Sequence, residues 1–191
     1  MPSKKTSAKK KKKPEAIIRQ MEVDDIAPVY HLGSSLFTSE EFPILYRTWD
    51  PYEVTGYFTS DPDFCLVAEV ESRVVGFVLA TTVEKEGTAW KKYGYVSWVG
   101  VQEAFQGSSL SRRLYRKLEQ RLKENGVRMI IADTEGDNDK AVTFFRRMGF
   151  SPRVEHVWMS KTLGRPVKST AKGDRPRTAT GKAGKQSPLP F

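Results

Sequence analysis

The chain has 191 residues, 38% of them hydrophobic, with 32 Lys and Arg against 23 Asp and Glu and a formal net charge of +9. That length and apolar content suit one domain with its own core and exclude a wholly disordered chain. No run approaches the ~20 apolar residues that span a bilayer, no apolar segment follows the early lysines as in a secretory leader, and a single cysteine, Cys65, excludes an internal disulfide.

The charge is unevenly placed. Residues 1–14 hold seven lysines and no acid, residues 164–191 hold seven Lys and Arg against Asp174, and residues 15–163 are left at net −4. The two basic segments, rich in Lys or in Gly, Pro, Ser and Thr, are too poor in apolar side chains to fold. They are expected to be disordered tails around a domain over 15–163. Polybasic tails of this kind either attract polyanions such as nucleic acid or the ribosome by counterion release, or simply solvate the chain. With two histidines and one cysteine, no metal site is expected, and cytoplasmic residence is the default.

In chain order, residues 17–21 read as a strand, and Asp24-Asp25 as the cap of a helix running to about residue 37. Asp50-Pro51 repeats the cap signal for a helix over 51–58. Phe42, Tyr46 and Trp49 in the intervening loop read as packing residues. Residues 65–70 and 74–83 are β-branched runs joined by a short turn over 71–73, with Cys65 a small buried hydrophobe. Residues 95–101 form another such run, in which Gly100 marks a bulge or a close backbone approach.

Leu110, Leu114, Leu118 and Leu122 then recur every four residues among Arg112, Arg113, Arg116, Lys117 and Lys123. This is an amphipathic helix, stopped by Asn125-Gly126. Residues 128–134 read as a strand, Glu135-Gly136-Asp137-Asn138 as an acidic turn, residues 139–148 as a helix and residues 155–161 as a closing strand. Hairpins beside strand-helix-strand units define an α/β fold whose central sheet is mixed, partly antiparallel and flanked by helices.

The chemistry concentrates where the strand over 95–101 runs through Gln106-Gly107-Ser108-Ser109 into the helix. Unpaired N–H groups and the helix dipole at that junction favour an anion such as a pyrophosphate. Arg112 and Arg113 sit in the first turn, where the dipole disfavours cations, and point the same way. An ordinary connection with a solvated basic face is the alternative.

Val101 followed by Gln106-x-x-Ser109-x-Ser111, and later Asn138-x-x-Ala141-x-x-x-Phe145-x-x-x-Gly149-Phe150, resemble the GCN5-related N-acetyltransferase (GNAT) family. The likeness covers roughly residues 17–163 and is closest in pattern to members that acetylate ribosomal proteins and protein N termini. It implies the acyl-CoA N-acyltransferase fold. It also implies transfer of acetyl from acetyl-CoA to a primary amine of a protein or peptide, and the net −4 of residues 15–163 suits a cationic acceptor of that kind or a polyamine.

By the same resemblance Gln106, Gly107, Ser108, Ser109, Leu110, Ser111 and Arg112 cradle the pyrophosphate, and Asn138 and Phe145 also face the coenzyme. The backbone of Val99, Gly100 and Val101 meets the thioester. Asp133 occupies the position where the ribosomal-protein alanine acetyltransferase branch carries a glutamate base, with Glu135 in reserve. The chain departs from the family at Ser109 and Ser111, which replace glycine or alanine. It departs again at Phe145, where a tyrosine often protonates the leaving thiolate; Tyr95, Ser97, Tyr115 or a water are the substitutes at hand. Those departures keep open a catalytically weakened acyl-CoA-binding module, or a scaffold associated with a polyanion or the ribosome.

Overall fold

The computed structural model describes residues 15–38, 49–87, 89, 91–151, 161, 163 and 164. The chain divides into two compact units, Met1–Arg153 and Val154–Phe191, and every helix and strand described belongs to the first. Phe42, Tyr46, nearly all of the strand expected over 155–161 and nearly all of both basic tails lie outside the described residues.

Five strands build one sheet in sequential order: β1 (Ile17–Gln20), β2 (Cys65–Val70), β3 (Arg73–Glu84), β4 (Lys92–Val101) and β5 (Ile130–Ala132). The first four pair antiparallel, and β5 pairs parallel to β4 through Gly94↔Ile130, Tyr95↔Ile131 and Val96↔Ala132. The α/β class and the mixed sheet are therefore as expected. The β2–β3 hairpin is tighter than expected, turning on Glu71 and Ser72, both with positive φ.

Side-chain alternation sorts β2 between two cores. Cys65 and Val67 face helices α1 (Ile26–Leu36) and α2 (Pro51–Ser60), where they are buried with Val29, Val54, Phe77 and Leu79. Leu66 and Ala68 face α3 (Leu110–Glu124), whose Leu110, Leu114, Leu118 and Leu122 cover Val78, Ala80 and Val96. Each such leucine contributes roughly 1.5–3 kcal/mol by leaving water, which fixes the helix on the sheet. Helix α4 (Asp139–Arg147) follows β5, and its Phe144 and Phe145 pack on the same side as α3. Asp50 caps α2 as foreseen, accepting from the Glu53 amide at 3.0 Å. Among the described residues no helix is long and apolar enough to cross a membrane.

Four local expectations are corrected. The strand expected over 128–134 contracts to Ile130–Ala132, because only those residues find a partner on β4. The bulge falls at Ser97, not Gly100: Leu79 pairs with Trp98 and Ala80 with Val96, which leaves Ser97 as the extra residue. Arg113 is committed to the fold, donating to Ala16 O at 2.9 Å and so tying the first residues of the domain to α3. Asp25 makes no side-chain cap for α1; a single 3-10 turn, Val23–Asp25, precedes that helix.

The real task of Asp25 is electrostatic. It is 5% exposed and accepts from Arg19 Nη1 and Nη2 at 2.6 and 2.9 Å and from the Glu22 amide at 2.8 Å. Arg19 also donates from Nε to Glu69 at 2.8 Å, so one guanidinium joins β1, β2 and the entry to α1. Burial pushes the Asp25 carboxyl up, but the Arg19 bonds, the Glu22 amide and the Arg19 charge outweigh it and hold it below the usual carboxylate range.

A folded-state value depressed below the unfolded one, near ~3.9, means that this contribution is complete above that pH and lost as the pH falls through the folded value. Denaturant titrations of Asp25→Ala are expected to show a loss of about 3 kcal/mol at pH 7, and a smaller further loss than wild type on acidification below about pH 4. Equal acid sensitivity in the two proteins would show that another carboxylate dominates.

Candidate active site

The site follows from how β4 uses its two edges. Near its start the Gly94 amide donates to Met129 O at 2.9 Å, toward the β5 side, so even-numbered residues face β5 there. Past the strand's end the Gln102 amide donates to Val75 O at 2.9 Å, toward β3. The Ser97 bulge has flipped the phase between these points, and alternation then turns the backbone of Val99 and Val101 away from β3. On that side β5 has already ended at Ala132. The open edge borders a cleft of about 970 Å³.

Of the residues singled out in the sequence, Val99, Gly100, Val101, Gln106, Gly107, Ser111, Asp133, Glu135, Asn138 and Phe145 line this cleft. Ser108, Ser109, Leu110 and Arg112 do not, and the Leu110 side chain is buried in the core at 4% exposure. Gly100 is a close-approach position. A Cβ there would stand 2.6 Å from the Phe77 ring and 3.0 Å from Leu36 Cδ1.

The turn after β4 is internally braced. Gln106 Nε2 donates to Val101 O at 3.1 Å and ties the turn to the strand's end. Gly107 has φ +70°, a conformation glycine adopts without a Cβ penalty. Ser108 Oγ donates to Phe105 O at 2.5 Å and accepts from the Leu110 amide at 3.2 Å. The Arg113 amide makes the first helical bond, to Ser109 O at 2.9 Å, so helix geometry leaves the amides of Ser111 and Arg112 with no intrahelical acceptor. They stand at the positive end of the α3 dipole.

Across the cleft, Asn138 Oδ1 accepts from the Ala141 amide at 3.1 Å and caps α4. Phe145 stacks edge-on with Phe144 and Phe150, at ring separations of 5.3 and 5.0 Å. Tyr115 does not line the cleft. It is 3% exposed, packed on Phe144 and Phe150, and desolvation with the nearby Glu119 charge pushes its phenol up to about 12. It is thereby removed as a substitute for the phenol that Phe145 lacks.

One pairing in the site has no local signature in the sequence. Tyr95 Oη donates to Asp133 Oδ1 at 2.6 Å across 38 residues of chain. Parallel register sets Tyr95 beside Ile131, and Asp133 lies two residues further on, on the same face of the sheet. That bond sits at the fork where β4 and β5 part. The lining toward α1 and α2 includes Phe37 and Trp98, and behind them Trp49 stacks on Phe77 at 5.3 Å, meets Trp98 edge-on at 5.1 Å and donates to Tyr30 O at 3.0 Å. Trp49 is therefore a packing residue, and Trp98 Nε1 in turn donates to Glu53 Oε2 at 2.7 Å, linking β4 to α2. Glu103, Asp133 and Glu135 against Lys140 give the cleft an acidic lining.

The sequence and the fold have known counterparts. A model of the acetyltransferase (GNAT) family matches residues 29–150. The N-alpha-acetyltransferase 30 of Schizosaccharomyces pombe is 29% identical over 104 residues, spanning 53% of this chain and 68% of that protein. Many solved structures share the fold. One is the NatC complex bound to Gag peptide and CoA, with TM-score 0.62 and 14% identity over 73% of this chain and 87% of that one. Another is aminoglycoside N-acetyltransferase AAC(6')-Iy in complex with CoA, with TM-score 0.63 and 16% identity over 79% and 97%. The chain belongs to the GNAT family and is an acetyl-CoA-dependent N-acetyltransferase.

Proposed function

We propose that the chain acetylates a primary amine of a protein or peptide, in the cleft between β4 and β5. The observation that carries this reading is the open edge of β4, which sets the amides of Val99 and Val101 in the same groove as the Asp133 carboxylate. The residues present suit acetyl-CoA. The Ser111 and Arg112 amides at the positive end of α3, with the left-handed Gly107 beside them, match the needs of a pyrophosphate. The departures at Ser109 and Ser111 are compatible with this cradle, since a serine hydroxyl can itself donate to phosphate.

Acetyl-CoA supplies the acetyl carbonyl as a thioester, whose sulfur departs with the electron pair of the C–S bond. The chain's part is to polarise, position and deprotonate. The Val99 and Val101 amides stabilise the negative charge that grows on the carbonyl oxygen. Asp133 takes the proton that the bound ammonium must lose before its nitrogen can attack the carbonyl carbon and, being exposed, passes it to water; the second proton, released once the C–N bond has formed, leaves by the same route. Phe145 has no proton to give, and a thiol with a pKa near ~8.5 leaves as thiolate without one. Glu135 is the second carboxylate in reach of the same groove.

The acidic lining and the net −4 of residues 15–163 favour a cationic acceptor. The likeness to an N-alpha-acetyltransferase supports a protein or peptide amine over other cations. Residues 1–14 and 164–191 act apart from this chemistry, as polybasic tails with a salt-sensitive affinity for polyanions.

Acetyl incorporation followed by mass spectrometry tests the reading on four acceptors: a peptide with a free α-amine, an Nα-blocked lysine peptide, spermine and an aminoglycoside. A peptide is expected to react fastest; preference for spermine or the aminoglycoside would overturn the acceptor class. Asp133→Asn is expected to lower kcat/KM about a hundred-fold with acetyl-CoA affinity intact, whereas unchanged turnover would remove Asp133 as the base.

A further inference from the structure

We infer that Tyr95 is a positioning residue for Asp133, its phenol holding the carboxylate charged and aimed at the mouth of the cleft. This rests on the reading of Asp133 as the base and adds a residue to it. The geometry is specific. The 2.6 Å bond from Tyr95 Oη to Asp133 Oδ1 joins a residue one rung before the last pair, Val96↔Ala132, to the residue just beyond it on the other strand. Asp133 itself is exposed and lies past the end of a three-residue strand.

Tyr95, by contrast, stands on a ten-residue strand paired to β3, so the phenol transmits the rigidity of the sheet to the carboxylate. A phenol donating to an ionised carboxylate makes a charge-assisted bond, which favours the charged form. Among the described residues, the other charged groups lining the cleft with Asp133 are Glu103 from the turn after β4, Glu135 from the turn before α4, and Lys140 on α4. Among these described residues the two carboxylates oppose ionisation of Asp133 and Lys140 favours it, and the phenol acts in the same direction as Lys140. A carboxylate accepts at both oxygens, so engagement of Oδ1 leaves capacity for the amine proton. The same bond directs the Tyr95 proton to Asp133, and so Tyr95 is not the acid that replaces the missing phenol at Phe145.

Two measurements on the full chain test this. The first is titration of the Asp133 carboxyl by carbon NMR, with no acceptor present: Tyr95→Phe is expected to move it to higher pH, and an unmoved value would overturn the pairing whatever Asp133 does in catalysis. The second is kinetic, with acetyl-CoA and the α-amine peptide. Tyr95→Phe is expected to lower kcat about tenfold with little change in either KM, and to cost nothing further in the Asp133→Asn background. Equal losses in both backgrounds would overturn the positioning role and make Tyr95 a structural residue. Full activity of Asp133→Asn alone would instead refute the base assignment, while the NMR shift would still stand.

Discussion

A ten-residue strand has a full-length partner on one edge and a three-residue partner on the other, and the site is a consequence of that mismatch. Backbone donors on the open edge of β4 cannot be left dry, since an unsatisfied buried amide costs about 1–3 kcal/mol. The sheet therefore opens there onto a groove that water or a ligand can fill. The Ser97 bulge decides which residues offer those donors. Had the alternation set by Gly94 continued, Trp98 and Gly100 would turn their amides outward; the extra residue hands that position to Val99 and Val101.

The scaffold holds both lips of the groove from behind. Helix α3 is pressed to the sheet by its leucine stripe and anchored to the domain's start by Arg113, so the turn over 106–109 has a fixed end on each side. On the opposite face Arg19 gathers Asp25 and Glu69, and Trp98 reaches Glu53. These polar ties join α1 and α2 to the strands that carry the chemistry. Phe77 makes the compactness visible at atomic scale: its ring leaves no room for a Cβ at Gly100, so the strand can run flat against it.

How far the sequence alone reads correctly depends on whether a feature is local. Strand β2 is legible to the residue from an apolar run buried on both faces, and helix α3 is legible in its buried face and its stop from a four-residue leucine period followed by Asn125-Gly126. Strand β5 was overread because the apolar stretch over 128–134 says nothing about how many residues meet a partner. Ser97 carries no compositional mark of a bulge, whereas of the two readings open at Gly100, a bulge or a close approach, it is the close approach that the structure shows. Asp25 resembles a cap until Arg19 is placed beside it. Tyr115 was readable as core, since it adjoins the leucine stripe and a globular helix buries a face wider than one row. The cleft residues came from motif resemblance, but the bond from Tyr95 to Asp133 required the parallel register, which no local pattern encodes.

The central claim is that the open edge of β4 and the first turn of α3 together receive acetyl-CoA. Backbone amide NMR of the full chain, recorded as acetyl-CoA is added at moderate salt, tests it most directly. The largest shifts and the strongest gain in exchange protection are expected on Val99, Val101, Ser111 and Arg112. Shifts confined to the lysines and arginines of residues 1–14 and 164–191, with β4 unmoved, would contradict it.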